Sequence, residues 1–343
     1  MTRHLKQGMT LVELLIVLTI LAGLVTAVSV SSASMQDRRR ANETERQGTA
    51  IADAWSRSEG LSFVSDFGEA PNDIGKLQLL FRKDYAGKLE INGTQQAKRP
   101  DVGLKASLIR QAPAFTLLTA KVTDLPPAND TSLAGALPTT NLTLNNLPPV
   151  TLGGGWRGPY CTEKLPLSAD VATDAFGGAW HLQSEDGTDV STQAQAGKAP
   201  VTLISYAADR MKDGIPAPTD WKNRDRRFVL KAPNPTLSVD VDIDSSVDVS
   251  KLTTYVYVYG PKVTWPAIGA AADTNPTVAL QCVGYAFPSN TSGLVSGKEL
   301  TIGQRTVFIW SKSTDGTYYY IPPRTMNLTS GNNTLKGTLR KAN

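Results

Sequence analysis

Histidine, cysteine and early proline are what this sequence lacks. Its 343 residues hold two histidines, His4 and His181, and two cysteines, Cys161 and Cys282. No Cys-x-x-Cys, H-E-x-x-H or G-x-S-x-G pattern occurs, so neither a zinc site nor a nucleophile–base set is legible. His181, beside Trp180, reads as a packed ring. Gly153-x-Gly155-x-x-Gly158 has the letters of a dinucleotide fingerprint. Pro159 follows at once, however, and a proline-rich stretch precedes it, so the required strand–turn–helix context is missing. The chain is expected not to be an enzyme. Strong charge of one sign is absent too: the formal net charge is +4. The runs Arg38-Arg39-Arg40 and Arg224–Arg227 are flanked or interrupted by acids, so no nucleic-acid partner is expected.

Proline is absent until Pro71, and the space it leaves is filled by one apolar run. Gly8–Val30 carries a single charge, Glu13, behind the basic leader Arg3, His4 and Lys6. From Met9 to Val30 there are 22 residues, and about 20 suffice to cross a bilayer as a helix. A carboxylate in such a span costs on the order of 2.5–3.5 kcal/mol, so Glu13 needs a partner. An ordinary secretory signal is cut after its apolar core. Here the polar-to-apolar break falls at Gly8–Met9, before the core. Cutting there keeps the helix and leaves an amine on Met9, four peptide bonds from Glu13. The helix is expected to run from Met9 to Ser58, roughly 75 Å at 1.5 Å per residue. Ala41, Thr44, Gly48, Ile51 and Trp55 form a stripe suited to packing on a domain.

This layout resembles the leader of type IV pilins and type II secretion pseudopilins. The matching residues are Lys6-Gln7-Gly8, Met9-Thr10-Leu11-Val12-Glu13 and Leu14-Leu15-Ile16-Val17-Leu18. Met9 stands where the family usually has phenylalanine, and the mid-span proline of many pilins is missing. The resemblance implies that a prepilin peptidase cuts after Gly8, that the Met9 amine is methylated, and that Glu13 pairs with the amine of a neighbouring subunit. It also implies a single pass through a bacterial inner membrane with the C-terminal part periplasmic. The leader's charges agree with that orientation, and Asp37, Glu43 and Glu45 dilute the opposing Arg38–Arg40.

Beyond the helix, residues 60–125 show short apolar runs without a legible fold. Residues 125–155, rich in Pro, Asn, Thr and Gly, read as a surface loop or linker. Ser238–Val249 alternates Val239, Val241 and Ile243 with Asp240, Asp242 and Asp244, and Tyr255–Tyr259 alternates Tyr with Val; both have the period of half-exposed strands. Val307–Trp310 and Tyr318–Ile321 flank a turn at Ser313–Gly316 and predict a hairpin. The aspartates of 240–244 open like an EF-hand loop, but Ser245 and Lys251 stand where Gly and Glu are required, so a polar strand face is expected. In a periplasmic setting a Cys161–Cys282 disulfide is chemically permitted, and two buried thiols are the alternative.

A second resemblance follows in order along the chain. Gly154-Gly155-Trp156-Arg157-Gly158-Pro159-Tyr160, Asp174–Trp180 with Gly177 at its centre, Ser205–Asp209, Asp213-Gly214 and Asp220-Trp221 are similar to the major pseudopilin of type II secretion. Arg210 stands where that family has glycine, and the chain continues well past the family's usual end. The resemblance implies a calcium ion held by Asp209, Asp213 and Asp220. The expected class is α+β: a long pilin helix packed on an antiparallel sheet domain, with an added β-rich region. The expected divisions are leader 1–8, helix 9–58 with 9–30 transmembrane, a pilin-like domain 59–229 and a β-region 230–343. The implied role is a subunit of a secretion pseudopilus, in the periplasm or at the cell surface. Its partners would be copies of itself, other pilins or pseudopilins, the peptidase and an inner-membrane assembly platform. The alternatives are a pilin for adhesion, motility or DNA uptake, and a binding or enzymatic domain tethered on a pilin stem.

Overall fold

The structure is a computed structural model that describes residues 11–57, 61–69, 89–91, 94–96, 113–129, 133, 137, 141–158, 160–161, 167–168, 171–187, 200–210, 220–230, 234–264, 276–297 and 300–342. The proline-free N-terminal stretch is one helix, α1 (Leu11–Ser56), about 69 Å long at 1.5 Å per residue. Its last third buries Ala41, Thr44, Gln47, Gly48, Ile51, Ala54 and Trp55, which contains the stripe predicted from sequence. A short helix, α2 (Phe63–Phe67), follows and is buried along its whole length. Ser62 and Ser65 cap it reciprocally, satisfying amides that would otherwise be orphaned in the interior. Gly68 ends it with φ +71°, and a Cβ there would stand 1.7 Å from the carbonyl oxygen of Pro261, so only glycine fits.

Apart from a helical turn at Leu142–Asn145 and 3-10 turns at Trp221–Asn223 and Val249–Lys251, the remaining described elements are strands. β1 (Leu89–Ile91) and β2 (Thr94–Gln96) pair as a ribbon, as do β3 (Thr116–Ala120) with β4 (Val150–Gly154) and β5 (Leu167–Ser168) with β6 (Val171–Ala172). β7 (Trp180–Ser184), β8 (Pro200–Ser205) and β9 (Arg226–Val229) form an antiparallel sheet on which α1 lies. The seat is close, because a Cβ on Gly48 would fall 2.2 Å from the Phe228 ring. Then come β10 (Thr236–Asp242), β11 (Leu252–Thr264), β12 (Thr277–Pro288), β13 (Gly293–Val295), β14 (Gly303–Ser313), β15 (Tyr318–Leu328), β16 (Asn332–Thr338) and β17 (Arg340–Lys341). They make a five-stranded sheet in the order β12-β11-β14-β15-β17 and a three-stranded sheet in the order β13-β10-β16. The predicted hairpin is β14–β15, and β10 exposes Asp240 and Asp242 while burying Val239 and Val241, as its alternation predicts. The pairing is antiparallel except between β10 and β16, which run parallel. The class is α+β, as expected.

Two sequence expectations fail, for one reason. Val256, Val258, Val307 and Ile309 face the three-stranded sheet, while Tyr257, Tyr259, Phe308 and Trp310 occupy the opposite face of the same strands. That second face is covered, so β11 is buried on both sides rather than half-exposed. Most of the cover is the stretch read as a linker: Leu137, Leu144, Val150 and Leu152, joined by Val122 just ahead of it, pack on the aromatic face. The Tyr257 hydroxyl donates to the Leu133 carbonyl at 3.0 Å, and the Tyr259 hydroxyl to Val122 at 3.0 Å. Tyrosine alternating with valine has period two whichever faces are buried, so periodicity alone cannot reveal the cover. Position 230 marks a change of sheet, and one core crosses it. One cluster unites Ile51, Trp55, Phe63, Phe67, Trp156, Trp180 and Phe228 with Val263 and Ile302.

Candidate assembly stem and its anchorage

From Leu11 to Arg40 every residue but Asp37 is exposed, including the whole apolar run described from Leu11 to Val30. Among the described residues this helix is the one long and apolar enough to cross a membrane. Its polar interruptions are muted. The hydroxyls of Thr19, Thr26 and Ser29 donate to the carbonyls of Ile16, Ala22 and Val25, each at 2.8 Å. They therefore ask for no partner from a lipid environment. Glu13 lies exposed in the first turn, where the positive end of the helix dipole favours a carboxylate. Gly8 and Met9 lie outside the described residues.

The stem's foot is held by a buried charge cluster. Asp66 on α2 has a side chain with no exposed surface. Arg157 Nε lies 3.0 Å from each of its carboxylate oxygens, Arg157 Nη2 also bonds Oδ1, and the Tyr160 hydroxyl donates to Oδ2 at 2.9 Å. Burial pushes the Tyr160 phenol well up, and the hydrogen bond to Asp66 raises Arg157 further. On the other side of α2 Arg305, from β14, donates to the carbonyls of Ser65 and Ile302 at 3.4 and 2.6 Å and to Thr301 Oγ1 at 2.5 Å. Burial lowers its pKa to about 10, which still leaves it charged at neutral pH. Lys262 of β11 reaches Glu69 at 2.9 Å. The Trp156–Tyr160 segment and the C-terminal sheet are thus fastened to the same five-residue helix. Sequence reading missed Asp66 and Arg305. The signal was there: Asp66 stands among Phe63, Val64 and Phe67, and an acid in apolar company needs a partner.

Two motifs distant in sequence meet at the stem's seat. Asp174 is buried and accepts hydrogen bonds from the amides of Phe176 and Gly178, at 2.9 and 2.8 Å, and from the Ser205 hydroxyl. Burial outweighs those bonds and raises its pKa. The amide of the next residue, Ala175, donates to Thr44 Oγ1 on α1 at 3.2 Å, which ties this turn to the helix. His181 lies against the ring of Tyr206, centroids 4.3 Å apart, in keeping with a packed ring.

Of the calcium set, the structure describes Asp209 and Asp220. Asp213 lies outside the described residues. Asp220 accepts the Lys222 amide at 3.2 Å and sits 3.5 Å from its ammonium, while Asp209 is half-buried beside Arg210. The Ala208 amide donates to the Lys222 carbonyl at 3.1 Å, a backbone hydrogen bond that joins the two flanks of this loop. Of the two alternatives for Cys161 and Cys282 the structure has the second: both are buried free thiols, Cys161 in the core under α1 and Cys282 in the cluster on the aromatic face of β11–β14. Burial pushes the Cys282 thiol up to about 12, so it is not a reactive thiolate.

Residues 3–29 match the prokaryotic N-terminal methylation motif. No curated protein matches the chain. Among solved structures it is similar to the minor pilin GBS52 of the gram-positive pathogen Streptococcus agalactiae, at 12% identity over 52% of this chain and 89% of that one. The TM-score is 0.20, at which the likeness carries no argument.

Proposed function

We propose that this chain is a structural subunit of a pilus-like filament, held in a membrane by its N-terminal helix and assembled through it. The observation that carries this is the stem: thirty positions from Leu11 to Arg40, nearly all exposed, apolar to Val30 and marked by one acid directly behind a methylation-motif leader. Such a helix must be covered, first by lipid and then by its neighbours. Moving from lipid to a helix bundle brings no hydrophobic gain, so packing and polar pairing have to favour the fibre. Cleavage at Gly8–Met9 supplies the polar partner. Were the helix continued straight back to Met9, its amine would stand about 6 Å along the axis from Glu13, at 1.5 Å per residue. A neighbour shifted along the fibre presents its own amine closer, which selects one register. The role is mechanical rather than catalytic.

Within that reading a type II secretion pseudopilus is favoured over a surface pilus. Its support is the ordered set Trp156–Tyr160, Asp174–Trp180 and Ser205–Asp209: the first meets α2 at Asp66, the second meets α1 at Thr44, and the third is tied to the second by the Ser205 hydroxyl on Asp174. Secretion ATPase and secretin genes beside this one would agree with the pseudopilus; a retraction ATPase gene would favour the surface pilus. The decisive experiment is Glu13→Leu. The variant inserts in the membrane as well as wild type, while sheared or cross-linked fibre falls tenfold or more, given a term of roughly 2.5–3.5 kcal/mol. Glu13→Asp retains part of the yield. Equal fibre from Glu13→Leu and wild type overturns the assembly role, and an intact Met1 by mass spectrometry in peptidase-positive cells overturns the processing.

A further inference from the structure

Just above the apolar run, α1 carries three consecutive arginines that the fold leaves outward. Arg38, Arg39 and Arg40 are all exposed, and among the described residues neither Arg38 nor Arg39 has an ion pair. Arg40 has only a long contact with Asp37, 3.9 Å. The next charges along the helix are neutralised within the molecule: Arg46 pairs with Glu43 at 2.7 Å, and Glu45 lies 3.8 Å from Arg226. Successive helix positions are about 100° apart, so three in a row fan around most of the axis. A protein surface on one side would be met by positions three and four apart. A collar pointing in several directions suits a partner that surrounds the helix.

Height identifies that partner. From Val30 to Arg38 is eight residues, roughly 12 Å along the axis. The polar layer on each side of a bilayer is about 5–8 Å thick, given a hydrocarbon core of about 30 Å within a total of about 40–45 Å. Helical Cα–Cβ bonds tilt toward the N-terminus, so the arginines lean back toward the apolar run and the membrane that holds it. Ala41, immediately above, is already buried in the domain. Resting on the membrane-anchored reading above, we propose that Arg38–Arg40 form a collar that binds anionic phospholipid headgroups of the leaflet beneath the folded domain. The collar sets the domain's height on the membrane and must be released when the subunit enters a fibre.

The test uses the full chain in phosphatidylcholine vesicles with spin-labelled phosphatidylglycerol or phosphatidylcholine as the reporter. Wild type holds the anionic lipid roughly two- to fivefold more than the neutral one at low salt, and salt near 0.15 M weakens the preference. The triple variant Arg38→Gln, Arg39→Gln, Arg40→Gln retains only the leader's contribution, and the triple Lys variant restores the preference. Unchanged selectivity in the Gln variant, with both chains resistant to carbonate extraction, overturns the collar alone. Release of wild type by carbonate overturns the membrane reading and the collar with it. Tryptophan fluorescence keeps folding out of the comparison, since the three side chains touch no core.

Discussion

The two halves of α1 are one unbroken helix with opposite surroundings. Leu11–Arg40 stands clear of the body, while Ala41–Ser56 buries seven side chains against it. Helix propensity and the absence of proline extend through both halves, so neither separates them. The change comes where the apolar residues stop surrounding the axis and become a stripe. The acids divide in the same way. Glu13 stands on the exposed half with assembly as its proposed outlet, whereas Asp66, ten residues beyond α1, is satisfied inside the fold by Arg157 and Tyr160. A lone acid in apolar sequence signals a partner but does not say whether the partner belongs to the same molecule.

The contrast breaks most sharply at Asp66. Asp66→Ala removes the shared acceptor of Arg157 and Tyr160 and the nearby negative charge that helps offset buried Arg305, so it destabilises the folded chain by about 3–5 kcal/mol. Urea unfolding of the full chain in detergent, followed by tryptophan fluorescence, reads this directly. A loss below about 1 kcal/mol would mean that the cluster does not anchor the stem. A matched pair sharpens the comparison along α1 itself. Ile51→Ala costs about 2–5 kcal/mol in the same assay because it opens the core beside Trp55. Leu21→Ala, on the exposed half, stays within about 0.5 kcal/mol. Equal losses would place the stem inside the folded body. The smallest effect is expected from chelation. EDTA should leave the unfolding midpoint within about 1 °C, whereas a site saturated at a hundred times its Kd contributes about 2.7 kcal/mol. A fall of several degrees that Asp213→Ala reproduces would place calcium at Asp209, Asp213 and Asp220.

Legibility followed the range of the interactions. The stem, its buried stripe and the β14–β15 hairpin rest on neighbours within a few residues, and all three were readable. The cover over Tyr257 and Tyr259 was not. It joins residues more than a hundred positions apart, and the covering stretch has the composition of a linker. Its few apolar residues, Leu133, Leu137 and Leu144, gain meaning only against an aromatic face made elsewhere. The cysteines stayed open in the sequence for a related reason, since redox chemistry permits a bond while packing placed Cys161 and Cys282 in different cores. Asp66 was readable in principle by the reasoning that singled out Glu13.

By itself the sequence determined that the chain begins with a long, proline-free helix whose first part is apolar on all sides. It also determined that one acid marks that part, and that strands dominate the C-terminal third. Those properties follow from composition and local periodicity, which act without knowledge of the rest of the chain. Tertiary structure alone decided that the β-rich region shares its core with the stem's foot, because Arg305 and Asp66 lie 239 residues apart in sequence and meet only around α2. It also decided which charges remain available. Arg46 and Glu45 find partners within the fold, while Arg38 and Arg39, one turn below the domain, have no ion pair among the described residues.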